Sequence, residues 1–308
     1  MPAPMFLSSG DLIADRRYDF ARDLQLRGDI VGAADLMRQA VELAPNFASA
    51  WFALGELYQQ LNQHDLAIAA YKKAREADPL DRHGAKLRLM RLGVEDLSDM
   101  PPAYVRSLFD QYAPRFEKAL LENLGYRGPE ILLKAVLAVC HAAGRPAFFK
   151  HAIDLGCGTG LAAREFLPNV DEFIGVDLSP GMIEQARKSG LYARLEVADM
   201  VQGLANEEEA SADLVIAADA VIYLPDLAPL AEGAARVLRS GGLFAFTTET
   251  HKGDGVILGA GLRYAHGAEH VRSALAGAGL ILCSLDPAST RSENHEPVPG
   301  LVVVARKA

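Results

Sequence analysis

Apolar residues follow two different rhythms along this chain. In the first hundred residues they keep a helical spacing that repeats every 34 positions. Trp51, Leu54, Gly55, Tyr58, Ala67, Tyr71, Ala74 and Pro79 answer to Arg17, Phe20, Ala21, Leu24, Ala33, Met37, Ala40 and Pro45. Small residues stand where paired helices must cross closely, and large apolar ones fill the gaps between them. The prolines end each second helix, and residues 82–92 continue as a capping helix. From residue 150 short apolar runs alternate with amphipathic stretches. Strands are expected near 150–155, 172–177, 192–197, 213–218 and 242–248, with helices near 160–167, 180–189 and 227–238. That alternation predicts a parallel sheet with right-handed crossovers. A helix near 267–278 precedes strands 280–285 and 301–305. The polar loop 286–300 between these strands suits a closing antiparallel hairpin.

The stretch between the two rhythms reads as a boundary. Pro101 and Pro102 block helix continuation. A helical segment over 104–121 follows, then a turn at 126–129 and a helix over about 130–143. The 34-residue module resembles the tetratricopeptide repeat: two repeats over residues 1–96, a linker at 97–102, and a second domain over 103–308. Two repeats bury little continuous core. The module is therefore expected to dock on the rest of the chain or to pair with a second copy, and its surface offers a site for a protein partner or a homodimer.

Bulk properties narrow the field. The chain has 308 residues, half of them hydrophobic, which suits two domains. Its formal net charge of -9 and lack of a basic run argue against a nucleic-acid partner. Cys140, Cys157 and Cys283 lie far apart with no C-x-x-C pair, as in a cytoplasmic protein without disulfides or structural zinc. Residues 1–10 are too short and uncharged for a signal peptide, and no apolar run is long enough for a membrane span. A soluble, cytoplasmic protein is the expectation.

The chemistry is expected at the strand ends. Residues 151–160, H-A-I-D-L-G-C-G-T-G, read as a strand, a turn with glycines on alternate positions, and a helix start. Glycines permit a sharp turn and close approach of a ligand, and the helix start offers unpaired N–H groups. Asp154, Asp177, Asp199 and Asp219 each fall at or just past a strand end and would face one crevice. Asp177 stands at ribose-binding distance from the turn. Asp199 suits an adenine amino group, although it would also serve as a helix cap. Leu178, Met182, Ala198 and Met200 supply apolar walls for a purine. A nicotinamide dinucleotide fits less well, because the third glycine of G-x-G-x-x-G falls on Leu161.

Over 103–308 these motifs resemble the class I S-adenosylmethionine-dependent methyltransferases: I-D-L-G-C-G-T-G, F-I-G-V-D-L-S-P-G-M, E-V-A-D-M, D-L-V-I-A-A-D-A-V-I-Y and L-R-S-G-G-L-F-A-F. The whole chain resembles bacterial methyltransferases with N-terminal tetratricopeptide repeats. The resemblance implies an α/β, Rossmann-like sheet of seven strands, the last antiparallel, preceded by lid helices over 103–149. It implies S-adenosyl-L-methionine as cofactor. Gly156, Cys157, Gly158 and Gly160 would line its methionyl part, with Asp154 near the amino group. Asp177 would take the ribose, Leu178 and Met182 the adenine face, and Asp199 and Met200 the adenine edge. Asp219 and Ala220 would lie beneath the sulfonium. Residues 109–116 resemble the family's lid helix, with Tyr112 and then Phe116 closing over the methionine.

The acceptor side is read from the loops past the strand ends. Tyr223, Glu249 and His266 are candidates for moving a proton. Arg263, Tyr264 and Arg291 are candidates for holding the acceptor, the arginines by clamping an acidic group. His266 and His270 stand one helical turn apart, but without a third ligand nearby no metal is expected. The activity implied is methyl transfer to a small molecule. The alternative is an interaction protein whose repeats recruit a partner that the second domain methylates or merely scaffolds.

Overall fold

The computed structural model describes residues 5–118, 120, 124–293 and 295–308. The end of the helix expected over 104–121, position 294 of the hairpin loop and the first four positions of the 1–10 segment lie outside the described residues. The chain divides into two units, Met1–Leu108 and Phe109–Ala308.

The first unit is helical. α1 (Leu12–Leu26) pairs with α2 (Ile30–Leu43), α3 (Ala48–Gln60) pairs with α4 (His64–Ala77), and α5 (Ala85–Arg91) follows. Asp11 caps α1 by accepting from the Ile13 and Ala14 N–H groups, and Asp29 caps α2 through Gly32. A Cβ on Gly55 would lie 2.6 Å from the Tyr71 ring, so glycine is what lets α3 and α4 cross. Ala21, Ala33, Ala40, Ala67 and Ala74 are buried, as are Met37, Leu54 and Tyr71. Phe20 departs from the expectation that it fills a gap: it is 63% exposed. Leu54, in the same slot of the second repeat, joins a cluster with Ala33 and Met37 of the first. Among the described residues no helix pair precedes α1 to cover Phe20 in the same way.

α6 (Pro102–Tyr112) leads from the first unit into the second, where α7 (Phe116–Lys118) and α8 (Gly128–Ala142) come first. The chain then alternates: β1 (Phe149–Leu155), α9 (Leu161–Phe166), β2 (Val170–Asp177), α10 (Pro180–Ser189), β3 (Arg194–Val197), α11 (Met200–Ala205), β4 (Ala212–Ala217), α12 (Ala228–Val237) and β5 (Leu238–Glu249). A short pair, β6 (Val256–Leu258) and β7 (Tyr264–His266), precedes α13 (Ala268–Gly277) and β8 (Leu280–Ala288). β9 (Ser292–Glu293) and β10 (Glu296–Pro297) form a small hairpin before β11 (Gly300–Lys307).

The main sheet runs β3-β2-β1-β4-β5-β11-β8. β11 is antiparallel to both neighbours, and the other strands of this path are parallel. Helices cover both faces. α8 and α9 pack Leu132, Val136 and Phe166 on one side, and α12 and α13 pack Leu230, Val237, Val271 and Leu275 on the other. The seven-stranded Rossmann-like sheet with its antiparallel last strand is as the sequence implied, with α11, β6, β7 and the β9–β10 hairpin in addition. β1 and β4 are sheet neighbours although two strands, β2 and β3, separate them in sequence. The winding reverses between them, and a crevice opens at the carboxyl ends of such a pair.

Candidate active site

The turn after β1 has the backbone its glycines allow. Gly156, Gly158 and Gly160 have φ of +65, +54 and +96°, a region that side-chain-bearing residues rarely adopt. A Cβ on Gly156 would lie 2.5 Å from the Ala220 Cβ and 4.0 Å from the Met200 sulfur. A Cβ on Gly158 would lie 3.5 Å from the Phe116 ring. The turn, the residue past β4, the start of α11 and the lid aromatic therefore meet across one crevice. Thr159, the next residue of the turn, has a buried hydroxyl oxygen with no hydrogen-bond partner among the described residues. A buried hydroxyl in that state suits a polar ligand group.

Asp177 ends β2 and is nearly buried. Its carboxylate accepts from the Gly158 N–H at 2.9 Å and the Ser179 N–H at 2.8 Å. Burial pushes its pKa up to about 6. Each carboxylate oxygen keeps a further lone pair for a ligand hydroxyl. The segment expected to form a lid is fastened beside it. Asp110 of α6 accepts from the Ser179 hydroxyl at 2.5 Å and the Gly181 N–H at 3.0 Å. Phe109 sets its ring 6.0 Å from Phe116 and 5.3 Å from Tyr223. Tyr112 is half-buried at the end of α6, and burial raises the pKa of its phenol. Leu178 is half-buried and Met182 wholly buried. Cys157 is buried beside Ile183 and Ala186, and burial holds its thiol neutral, as suits a small filler.

Asp154 lies near the end of β1, just ahead of the turn. Side chains alternate along a strand. Ile153 and Leu155 enter the core on one face, and Ala152 enters the core on the opposite face, to which the alternation also turns Asp154. Asp154 is 1% exposed and accepts from the Tyr192 hydroxyl at 2.7 Å. Burial pushes its pKa up to about 7. Asp199 is exposed and caps α11, its Oδ1 accepting from the Val201 and Gln202 N–H groups at 3.0 and 2.9 Å.

Beyond β4 and β5 lies an ion cluster. Asp219 holds a left-handed backbone (φ +54°). Its carboxylate accepts from the Thr247 hydroxyl at 2.9 Å, the Thr290 hydroxyl at 2.7 Å and Arg291 Nη1 at 2.8 Å. Arg291 also donates to Glu249 and, at 3.1 Å, to Glu293. Arg263 donates to the same two glutamates, with 2.5 Å to Glu249. Burial works against charge on Arg291, but Asp219 and Glu249 outweigh it and raise its pKa.

This cluster corrects the expected arginine clamp, because both guanidiniums are spent on carboxylates. Tyr264 is buried within β7. His266 is not the solvent-side base expected. It is fully buried, with Nε2 2.9 Å from the Leu224 carbonyl and Nδ1 2.7 Å from the Thr248 hydroxyl. The carbonyl can only accept, so Nε2 carries the proton and Nδ1 accepts from Thr248. Burial lowers its pKa to about 4. His266 thus clasps β7 to β5 as a neutral imidazole. Tyr223 lies in the short turn past β4, and Glu249 ends β5 inside the ion cluster. Among the described residues no group of three or more His, Cys, Asp or Glu could hold a metal, and no helix is long and apolar enough to cross a membrane.

Sequence reasoning passed over Tyr192, Asp110, Phe109 and Thr290. The lid motif contains Phe109 and Asp110, and an acid beside the aromatics was the available signal. The strand expected over 192–197 begins only at Arg194, which leaves Tyr192 in the connection after α10, and Thr290 sits in the connection after β8.

The methyltransferase domain family matches residues 153–246, and the tetratricopeptide repeat family matches residues 24–89. Methyltransferase-like protein 27 of Homo sapiens is 32% identical over 151 residues, 46% of this chain and 57% of that protein. A ubiquinone biosynthesis O-methyltransferase of Alkalilimnicola ehrlichii is 31% identical over 102 residues, 32% of this chain and 41% of that protein. The chain thus spans about half the length of the curated relatives it matches. Among solved structures, the [4+2]-cyclase SpnF superposes with a TM-score of 0.54 at 15% identity, over 69% of this chain and 99% of that one. The Burkholderia thailandensis 1,6-didemethyltoxoflavin-N1-methyltransferase, solved with bound 1,6-didemethyltoxoflavin and S-adenosylhomocysteine, gives 0.50 at 19%, over 70% and 93%. These two likenesses concern the fold alone.

Proposed function

We propose that the chain transfers a methyl group from S-adenosyl-L-methionine to a small-molecule acceptor bound past the ends of β4 and β5. The observation that carries this reading is the approach of Ala220 and Met200 to Gly156 and of Phe116 to Gly158 at the end of β1, in the same turn as the Thr159 hydroxyl, which has no partner among the described residues. Gly156, Gly158 and Gly160 are assigned to the methionyl end, and Asp177 to the ribose. Leu178, Met182 and Met200 are assigned to the adenine, with Asp199 at its edge. Ubiquinone O-methyltransferases and the toxoflavin methyltransferase, by their names, act on small molecules, which favours that class of acceptor.

When bound, the cofactor supplies a methyl group already activated by its sulfonium, so the displacement needs alignment more than acid–base help. Phe109, Phe116 and Tyr223 are placed to exclude water, and Asp110 fastens the lid that carries the first of them. Tyr223 and Glu249 are the groups assigned to the acceptor side. The ion cluster around Asp219 holds the segment past β8 against the ends of β4 and β5.

The cyclase likeness bears on the test, since one fold hosts several chemistries. Incubation with methyl-labelled donor and fractionated cell extract should move label into a small-molecule fraction. Label in a protein band would favour a protein acceptor. No transfer into any fraction, with donor bound, would refute methyl transfer.

A further inference from the structure

Asp15, Ser49 and His83 stand 34 residues apart and therefore occupy one slot in successive turns of the helical repeat. All three touch residues 5–9, the segment ahead of α1. His83 hydrogen-bonds to the Met5 backbone. The Ser49 hydroxyl accepts from the Leu7 N–H at 2.7 Å, with the Leu7 carbonyl 3.2 Å away and His83 Nε2 3.0 Å away. Asp15 accepts from the Ser9 N–H at 2.9 Å, the Ser9 hydroxyl at 2.6 Å and the Ser8 hydroxyl. Between these polar contacts Phe6 packs its ring 5.1 Å from Tyr18 and 5.9 Å from Phe47. The segment thus runs along the repeat row in the reverse sense, met in turn by His83, Ser49 and Asp15.

That pattern is how a protein reads an extended peptide. Main-chain groups at positions 5, 7 and 9 are bonded by side chains, which sets register without demanding a sequence. One aromatic side chain supplies the apolar contact.

We propose that this face of the repeat unit is a recognition groove for an extended peptide, and that residues 5–9 occupy it as an intramolecular competitor. The partner it fits carries an aromatic residue followed two or three positions later by hydroxyl-bearing residues. Asp15 at the end of the row accepts such hydroxyls and repels an acidic segment. The groove is independent of the proposed reaction and lies wholly within residues 5–83.

The test uses the full-length chain. A Phe6→Asp/Leu7→Pro variant removes the ring contact and the amide donor, and so frees the groove in cis. A fluorescein-labelled synthetic peptide of residues 1–10 is the probe. A tethered segment competes at an effective concentration of order millimolar, so the variant should bind the probe at least about tenfold more tightly than the unaltered chain. Adding Ser49→Ala and Tyr18→Ala to the variant should abolish that binding. In the unaltered chain the Leu7 amide should exchange slowly with deuterium. The proposal is overturned if the variant, with helical circular dichroism intact, binds the probe no better than the unaltered chain. It is also overturned if the Leu7 amide exchanges at the rate of a free peptide.

Discussion

Replacing Gly156 with alanine perturbs the crevice at its narrowest point, and the structure sets the magnitude. Gly156 has φ of +65°, where an alanine costs about 1–2 kcal/mol. The new Cβ would sit 2.5 Å from the Ala220 Cβ. Ordinary carbon contact is about 3.5–4.0 Å, so one side must retreat by roughly 1 Å. Overpacking of that kind costs about 1–3 kcal/mol. The backbone term falls on folding, whereas the retreat also displaces Ala220 or the glycine turn from the ligand. The expected result in urea unfolding is a midpoint lowered by the equivalent of about 2–5 kcal/mol with an unchanged slope. In calorimetric titration with S-adenosylhomocysteine, affinity should fall roughly 100-fold, about 2.7 kcal/mol. Ala220→Gly removes the atom in the way. The Gly156→Ala/Ala220→Gly double variant should therefore recover at least about tenfold of the lost affinity, as expected of contacting sites. Affinity within twofold of wild type in Gly156→Ala would refute the crevice geometry, and so would a double variant no better than the single.

Three further predictions concern Asp154, His266 and Asp110. Asp154 has a folded pKa of about 7 against an ordinary value of 3.8. Between these values the folded state holds the extra proton, so the contribution of Asp154 to stability declines as pH rises from about 4 to about 7. The Tm of Asp154→Asn minus that of wild type should accordingly grow more positive from pH 5 to pH 8, and a constant difference would contradict the assignment. His266→Ala should lose about 2–4 kcal/mol of stability through a cavity and two unmet hydrogen bonds, with turnover retained at low temperature. A large fall in kcat at unchanged Tm would restore His266 as a base. Asp110→Ala releases the lid from Ser179 and Gly181, and should weaken S-adenosylhomocysteine binding about three- to tenfold, measured by calorimetry, with little change in the urea midpoint; equal affinity would remove the latch from the account.

Much of the second unit was legible because its signals are local. Apolar runs bounded by Gly and Asp mark β1, β2, β4 and β11, and the alternate glycines of 156–160 need no partner to be recognised. The three-residue β6 and β7 carry too few positions to show a period. The side-chain directions were legible only in part. Asp154 and Asp177 look alike in sequence, yet one is paired with the Tyr192 hydroxyl and the other accepts from the Gly158 N–H of the turn. That difference follows from which face each strand position takes and from a tyrosine 38 residues away. Arg263 and Arg291 read as free cations for the same reason, since Asp219 and Glu249, which claim them beside Glu293, come from the distant ends of β4 and β5. Phe20 shows the limit of a repeat pattern: the slot was identified, but burial depends on what packs against it.

The central claim is that the β1/β4 crevice holds an adenosyl sulfonium compound with Asp177 on its ribose. Titration of the full chain at pH 8, where Asp177 is ionised, with S-adenosylhomocysteine and separately with NAD tests it most directly. The account predicts saturable one-site binding of S-adenosylhomocysteine, weakened at least about tenfold in Asp177→Ala, and no heat from NAD. Absence of S-adenosylhomocysteine binding, or binding indifferent to the loss of the Asp177 carboxylate, would contradict it.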